Sequence, residues 1–230
     1  MRLDKFLCQC TGLSRTDAKK ILHKGEVTCD GVIVKNPGFK VAENTRVVMR
    51  GKPLNHSGPR YIMLNKPIDT VSSNTGEANY PSILELLDIP NAEKLMIAGR
   101  LDADTTGLVL LTDDGQWCHR ITSPKKACGK RYRVWLADKI DTSAVNTFAD
   151  GILLRSESKK TLPAQLEIIS DSEVLLTITE GKYHQIKRMF AAIGNKVVSL
   201  HREQVGAIEL DPVLNEGEWR ELTEEEISSI

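Results

Sequence analysis

From Leu95 the chain reads LMIAGRLDADTTGLVLLTDDG, which places Arg100, Asp102 and Asp104 in a short segment flanked by Gly99 and Gly107. The apolar runs Leu95–Ala98 and Leu108–Leu111 predict two strands, so the charges fall where two buried elements join. A carboxylate withdrawn from water needs a partner or a task, and the glycines let the backbone bend closely around a ligand. Chemistry is therefore expected at this join. Asp102 is the sharpest candidate for that work. The alternative is a surface loop whose carboxylates and threonines satisfy turn hydrogen bonds.

Other chemistry-bearing side chains sit on elements of predictable type. Tyr61–Leu64 predicts a strand running into Asn65-Lys66-Pro67, which leaves Lys66 at a strand end, in reach of a phosphate. Lys130–Val134 (KRYRV) alternates like a strand with one side buried, which by itself makes Tyr132 a core tyrosine. In EGKYHQIKRMFAAIG, the spacing of Ile186, Met189, Phe190 and Ile193 predicts a helix stopped by Gly194. Lys187 and Arg188 then stand at its exposed start. His184 and Gln185 lie just before it, and His184 suits either acid–base work or hydrogen bonds that shape the loop. Further helices are predicted from Ser82 to Leu87, Gln116 to Ile121 and Val145 to Ala149. Strands are predicted at Ala164–Ile169, Val174–Thr179 and Val197–Leu200, and the acidic tail from Leu222 is a short helix or a frayed end.

The first fifty residues have a character of their own. Leu3, Phe6, Leu7 and Cys10 form a helical stripe, and Ser14 stands three residues before Asp17 as a capping-box-like start to a second helix that Gly25 ends. Arg15, Lys19 and Lys20 occupy the face opposite Ala18, Ile21 and Leu22. Val27–Cys29, an Asp30-Gly31 turn and Val32–Val34 predict a hairpin, with Arg46–Met49 a further strand. Residues 51–60 (GKPLNHSGPR) read as a linker, which would let the head find a ligand separately.

The net charge of zero conceals an asymmetry. Residues 1–60 hold 12 Lys and Arg against 5 Asp and Glu, residues 61–202 hold 18 against 17, and residues 203–230 hold 1 against 9. A basic head and an acidic tail point to a polyanion at the head. The five cysteines have neither disulfide nor zinc spacing, so no metal is expected. No apolar run approaches the ~18 residues that span a membrane, and MRLDKFLCQC lacks a signal-peptide core, so a cytoplasmic protein is expected.

The segment G-R-L-D-x-D-T-T-G-L, followed by an apolar strand and D-D-G, resembles the signature of RNA pseudouridine synthases, within them the branch that acts on ribosomal RNA and carries an S4 domain. L-N-K-P, K-x-Y-x-V and the stretch around Lys187 resemble the family's other motifs, and the helix-helix-sheet head resembles the S4 RNA-binding domain. The resemblance covers nearly the whole chain. It departs at Asp69, where the family usually has glycine. It implies Asp102, Tyr132 and Lys187 as catalytic residues, with Lys187 pairing with Asp102 and favouring its ionised form. It also implies that Arg15, Lys19, Lys20, Lys66, Arg100 and Arg188 meet RNA.

Isomerising uridine breaks N1–C1′ and joins C5 to C1′, with no net oxidation or addition, so no cofactor is required. The implied partner is 16S ribosomal RNA in an assembling small-subunit particle, with 23S RNA as the alternative; a monomer is expected, since no amphipathic stripe is left without a partner. The expected fold is α+β, with an S4-like domain at 1–50, a linker at 51–60, and at 61–230 a mixed or antiparallel-sheet catalytic domain with a central cleft. Two rival readings stand beside this one. D-A-D-T-T also resembles the D-x-D-x-T of haloacid-dehalogenase-type phosphatases, although Gly99-Arg100-Leu101 separates it from the strand and no later acidic pair completes a magnesium site. The other is a non-catalytic RNA-binding adaptor.

Overall fold

A computed structural model describes residues 1–42, 44–54, 58–77 and 79–230. The chain divides into two compact units, Met1–Gly58 and Pro59–Ile230.

In the first unit, helices α1 (Leu3–Thr11) and α2 (Arg15–His23) precede a four-stranded antiparallel sheet of β1 (Val27–Cys29), β2 (Val32–Ile33), β3 (Val47–Met49) and β4 (Lys52–Leu54), in the order β2-β1-β3-β4. The Ser14 hydroxyl caps α2 by accepting from the Asp17 N–H at 3.1 Å. Asp30 (φ 50°) and Gly31 (φ 83°) supply the two positive angles that the tightest hairpin turn needs. Leu3, Phe6, Leu7, Ala18, Ile21, Leu22, Val27 and Val47 close the core, while Arg15, Lys19 and Lys20 stay exposed. The expected linker needs correction. Lys52–Leu54 pairs with β3, with Arg50 and Gly51 as the turn, so the Gly and Pro density there marks a hairpin rather than a tether. Pro53 sits on the edge strand, where a missing N–H is tolerated. Residues 55–57 of that stretch lie outside the described residues.

The second unit is built on one nine-stranded sheet. Its strands are β5 (Tyr61–Lys66), β6 (Met96–Ile97), β7 (Thr106–Thr112), β8 (Lys130–Leu136), β9 (Gln165–Ile168), β10 (Glu173–Ile178), β11 (Val197–Val205), β12 (Ile208–Glu209) and β13 (Trp219–Glu221). The order is β13-β5-β7-β11-β8-β10-β9, with β6 on β7 and β12 on β11. Every pairing is antiparallel except β7 with β11. Helices α3 (Gly115–Thr122), α4 (Ala144–Ala149), α5 (Gln185–Ala192) and α6 (Glu224–Ser228) complete it. The architecture is α+β, as expected.

Residues of β5 and β7 alternate between two cores. Ile62, Leu64, Val109 and Leu111 join Phe148, Ile186, Met189 and Phe190 on one side, and Met63, Leu108 and Leu110 join Trp117 and Ile121 on the other. Burial on both faces is why these strands read as unbroken apolar runs. On β8 only Tyr132, Val134 and Leu136 are buried, the single-sided pattern its alternation predicts.

Three expectations change in detail. The helix predicted from Ser82 is a single 3₁₀ turn, Ile83–Leu86, closed by a reciprocal Ser82–Glu85 cap. The strand predicted to stop at Leu200 runs on to Val205 through register shifts between Val197 and Ser199 and between Arg202 and Gln204, which break the alternation that would reveal it. Ahead of the acidic helix, Trp219–Glu221 pairs with β5, so the tail is part of the sheet.

Candidate active site

The segment from Ala98 to Thr105 leaves β6 and enters β7 at the end where β7 runs parallel to β11, with His201 opposite Thr106 and Arg202 opposite Gly107. A side chain at position 107 is excluded, because a Cβ there would stand 2.4 Å from the Arg202 carbonyl oxygen and φ is 102°. Glycine thus lets two backbones touch directly under the loop that carries Asp102.

Two buried cations hold this loop from below. Arg202 is 1% exposed. Its Nε donates to Leu108 O at 2.7 Å and one Nη to Gly99 O at 2.8 Å, while the other reaches Tyr132 Oη at 3.3 Å and Arg100 O at 3.5 Å. Lys66 is fully buried, and its ammonium donates to Pro67 O at 2.9 Å, Thr105 O at 3.0 Å and Ala103 O at 3.4 Å. Burial pushes the Lys66 pKa down to about 8, against the pull of the Asp104, Asp102 and Asp69 carboxylates. The Leu101 N–H donates to Ser72 Oγ at 3.0 Å, and the Asp69 N–H donates to Ala103 O at 2.9 Å. Asp69 lies in the left-handed region, φ 60°, a conformation natural to glycine that aspartate also tolerates. Its backbone serves the loop as a glycine there would.

Above this floor the side chains open into a cleft of about 750 Å³, lined among others by Arg100, Asp102, Lys130, Tyr132, His184 and Lys187. The Asp102 side chain is 37% exposed, with Lys187 Nζ 3.4 Å and His184 Nε2 3.5 Å from its Oδ2. Lys187 binds Asp104 more closely, at 2.6 Å. Burial works against the Asp104 carboxylate, but the hydrogen bond and charge of Lys187 more than offset it and hold its pKa below the usual range. Tyr132 is buried in the wall with its hydroxyl on Arg202. Lys130 donates to Cys128 O and Ile121 O beside it, and burial lowers its pKa.

The structure brings Asp102, Tyr132, Lys187 and Arg100 to one cleft. One expected RNA contact is corrected, and a second is found engaged within the protein. Lys66 points beneath the loop and has no surface to offer a phosphate. Arg188 is occupied, bonding Glu157, Arg155 O and Tyr183 O. Sequence reasoning overlooked Arg202 and the Asp104–Lys187 contact. Arg202 had a signal: two residues past Leu200 on one strand, it shares the inward side.

A model of the RNA pseudouridylate synthase family matches residues 60–192, and an S4 domain model matches residues 1–47. The chain belongs to the RNA pseudouridylate synthases, enzymes that isomerise uridine within RNA, and carries an S4 domain. Among its relatives are the ribosomal small subunit pseudouridine synthase A of Vibrio cholerae, 56% identical over 100% of this chain and 99% of that protein, and that of Escherichia coli strain K12, 53% identical over 100% of both. A solved structure described as a pseudouridylate synthase superposes with a TM-score of 0.72 at 50% identity, over 100% of this chain and 99% of that one.

Proposed function

We propose that Asp102 is the carboxylate that meets C1′ of the target uridine and that the substrate is small-subunit ribosomal RNA. The observation that carries this is the loop itself: its backbone is bound by Arg202, Lys66, Ser72 and Asp69, while the Asp102 side chain is left in the open cleft. Fixing the backbone and freeing one carboxylate is what preorganised chemistry at a sugar carbon needs. Lys187 supplies the nearby positive charge. Tyr132 forms the wall against which the freed uracil turns. N1–C1′ breaks, C5 joins C1′, the C5 proton leaves and N1 takes up a proton.

The target base must leave its stack to reach Asp102, at a cost of a few kcal/mol. Arg100 at the cleft and Arg15, Lys19 and Lys20 on α2 are the cations left to meet phosphates, giving salt-sensitive affinity. The names of the relatives support RNA of the small subunit, hence 16S RNA, as the substrate; on this reading a monomer meets it within an assembling particle in the cytoplasm. Among the described residues no helix is long and apolar enough to cross a membrane.

The test is pseudouridine mapping of 16S and 23S RNA from cells lacking the gene and from cells carrying it back as wild type or Asp102→Asn. One 16S site should vanish and return only with the wild type, while the variant protein still binds the RNA. Restoration by Asp102→Asn would remove the aspartate from the chemistry, and loss of a 23S site would move the substrate to the large subunit.

A further inference from the structure

The mouth of the cleft carries an aromatic pair that isomerisation at Asp102 does not use. Tyr183, in the turn between β10 and α5, is 78% exposed, the highest value among the large apolar and aromatic side chains described. Its ring lies on the His184 imidazole with centroids 3.8 Å apart and planes at 19°. Both residues line the cleft, and His184 Nε2 is 3.5 Å from Asp102 Oδ2. The stack therefore begins at the carboxylate and runs outward, ending in a tyrosine face open to solvent.

A single exposed aromatic is ordinary on a protein surface. What sets Tyr183 apart is that hydrogen bonds tie down its carbonyl and the backbone on either side of it. Its carbonyl accepts from Arg188 at 3.1 Å, and the neighbouring Lys182 N–H donates to Gln185 Oε1 at 2.8 Å. The Lys182 ammonium and the Arg188 guanidinium both bind Glu157, and the Arg188 N–H donates to His184 O at 3.0 Å. A rigid backbone under an exposed ring means that little freedom is lost when something flat covers it.

The chemistry at Asp102 produces a flat partner at this place. When a uridine is turned out of an RNA stack, the base beside it loses a neighbour and presents a bare face, and single-stranded bases are held by stacking on aromatic side chains. Arg100, exposed at the same cleft and without a protein partner for its guanidinium among the described residues, is available for the phosphate between the two nucleotides. We propose that Tyr183, backed by His184, is a stacking subsite for the nucleobase next to the isomerised uridine. This rests on the reading of the cleft as the uridine site.

The test uses the full chain and the ribosomal RNA that mapping identifies, ligated from segments so that the nucleotide 5′ or 3′ of the target carries its base or is abasic. Tyr183→Ala should raise KM about tenfold on intact RNA, the size of one lost stack, while Tyr183→Phe and Tyr183→Trp stay within about twofold. At one of the two positions the abasic RNA should show the same loss with wild-type enzyme, and Tyr183→Ala should add nothing to it. Independent losses at both positions, equal damage from Tyr183→Phe, or a Tyr183→Ala enzyme within about twofold of wild type would each overturn the subsite. An unchanged thermal melt confirms that the variant is folded. The baseline is wild-type turnover on intact RNA and does not depend on which carboxylate acts; an error there shows separately, as normal turnover by Asp102→Asn.

Discussion

Beneath the loop that carries Asp102, Lys66 and Arg202 are shut away from water and donate to the backbone carbonyls of Pro67, Gly99, Arg100, Ala103, Thr105 and Leu108. At the rim above it, Lys187 is partly open and shared between two carboxylates, and Arg100 is exposed. The same two residue types thus serve opposite ends. In the floor, a positive charge is held by carbonyl dipoles and its hydrogen bonds set geometry; at the rim, charge stays open to the cleft and to solvent. The costs differ accordingly. A buried acceptor that loses its donor forfeits its full solvation, whereas a rim ion pair screened by water contributes little to folding.

The largest effect expected from this contrast is on Arg202. Arg202→Met should cost about 3–5 kcal/mol in urea unfolding, because it strands the short bonds to Leu108 and Gly99 together with the Tyr132 hydroxyl. A variant as stable as wild type that has lost only turnover would move Arg202 from the floor into the reaction.

Lys66 should come next, at about 2 kcal/mol for Lys66→Met, and with an unusual dependence on pH. Its folded pKa of about 8 lies below that of the unfolded chain. Between the two values the unfolded state binds more protons, so this group makes the protein more stable as pH rises. Relative to Lys66→Met, the wild type should gain about 1 kcal/mol between pH 7 and pH 9. Turnover should fall over the same range, since a neutral amine has two hydrogens for three carbonyls. A stability difference that does not change with pH would mean that Lys66 keeps its proton.

Much of this molecule was legible before its structure was known, where local signals agreed with one another. The Asp30-Gly31 hairpin, the Ser14 cap and the α5 register all followed from turn chemistry and periodicity. The loop was legible too, because Gly99, Gly107 and the carboxylates between them conflict with the apolar strands on either side. The depth of Lys66 and Arg202 was not. A lysine at a strand end reads as a surface residue until β5, β7 and β11 are known to lie side by side, and that adjacency comes from a parallel pairing of segments about ninety residues apart. Gly and Pro at 51–60 misled for the related reason that a tight hairpin and a linker share a composition.

Asp104 should show the smallest effect, and it sharpens the contrast most. The sequence singles out Asp102 of D-A-D, but in the structure Lys187 lies nearer Asp104. If Lys187 serves Asp102 and Asp104 only steadies its ammonium from the solvent side, Asp104→Asn leaves the lysine free to close on Asp102. Turnover should then stay within about threefold of wild type and the melt within about 0.5 kcal/mol, as for other exposed pairs. The acid side of the stability profile separates the two roles. The Asp104 pKa is held low in the folded state, so its contribution is present above the unfolded carboxylate pKa and lost as pH falls through the folded one. Asp104→Asn should remove that small acid-sensitive part and leave catalysis nearly intact. A loss of turnover matching that of Asp102→Asn would show that the rim works through both carboxylates, with Lys187 bridging them as one unit.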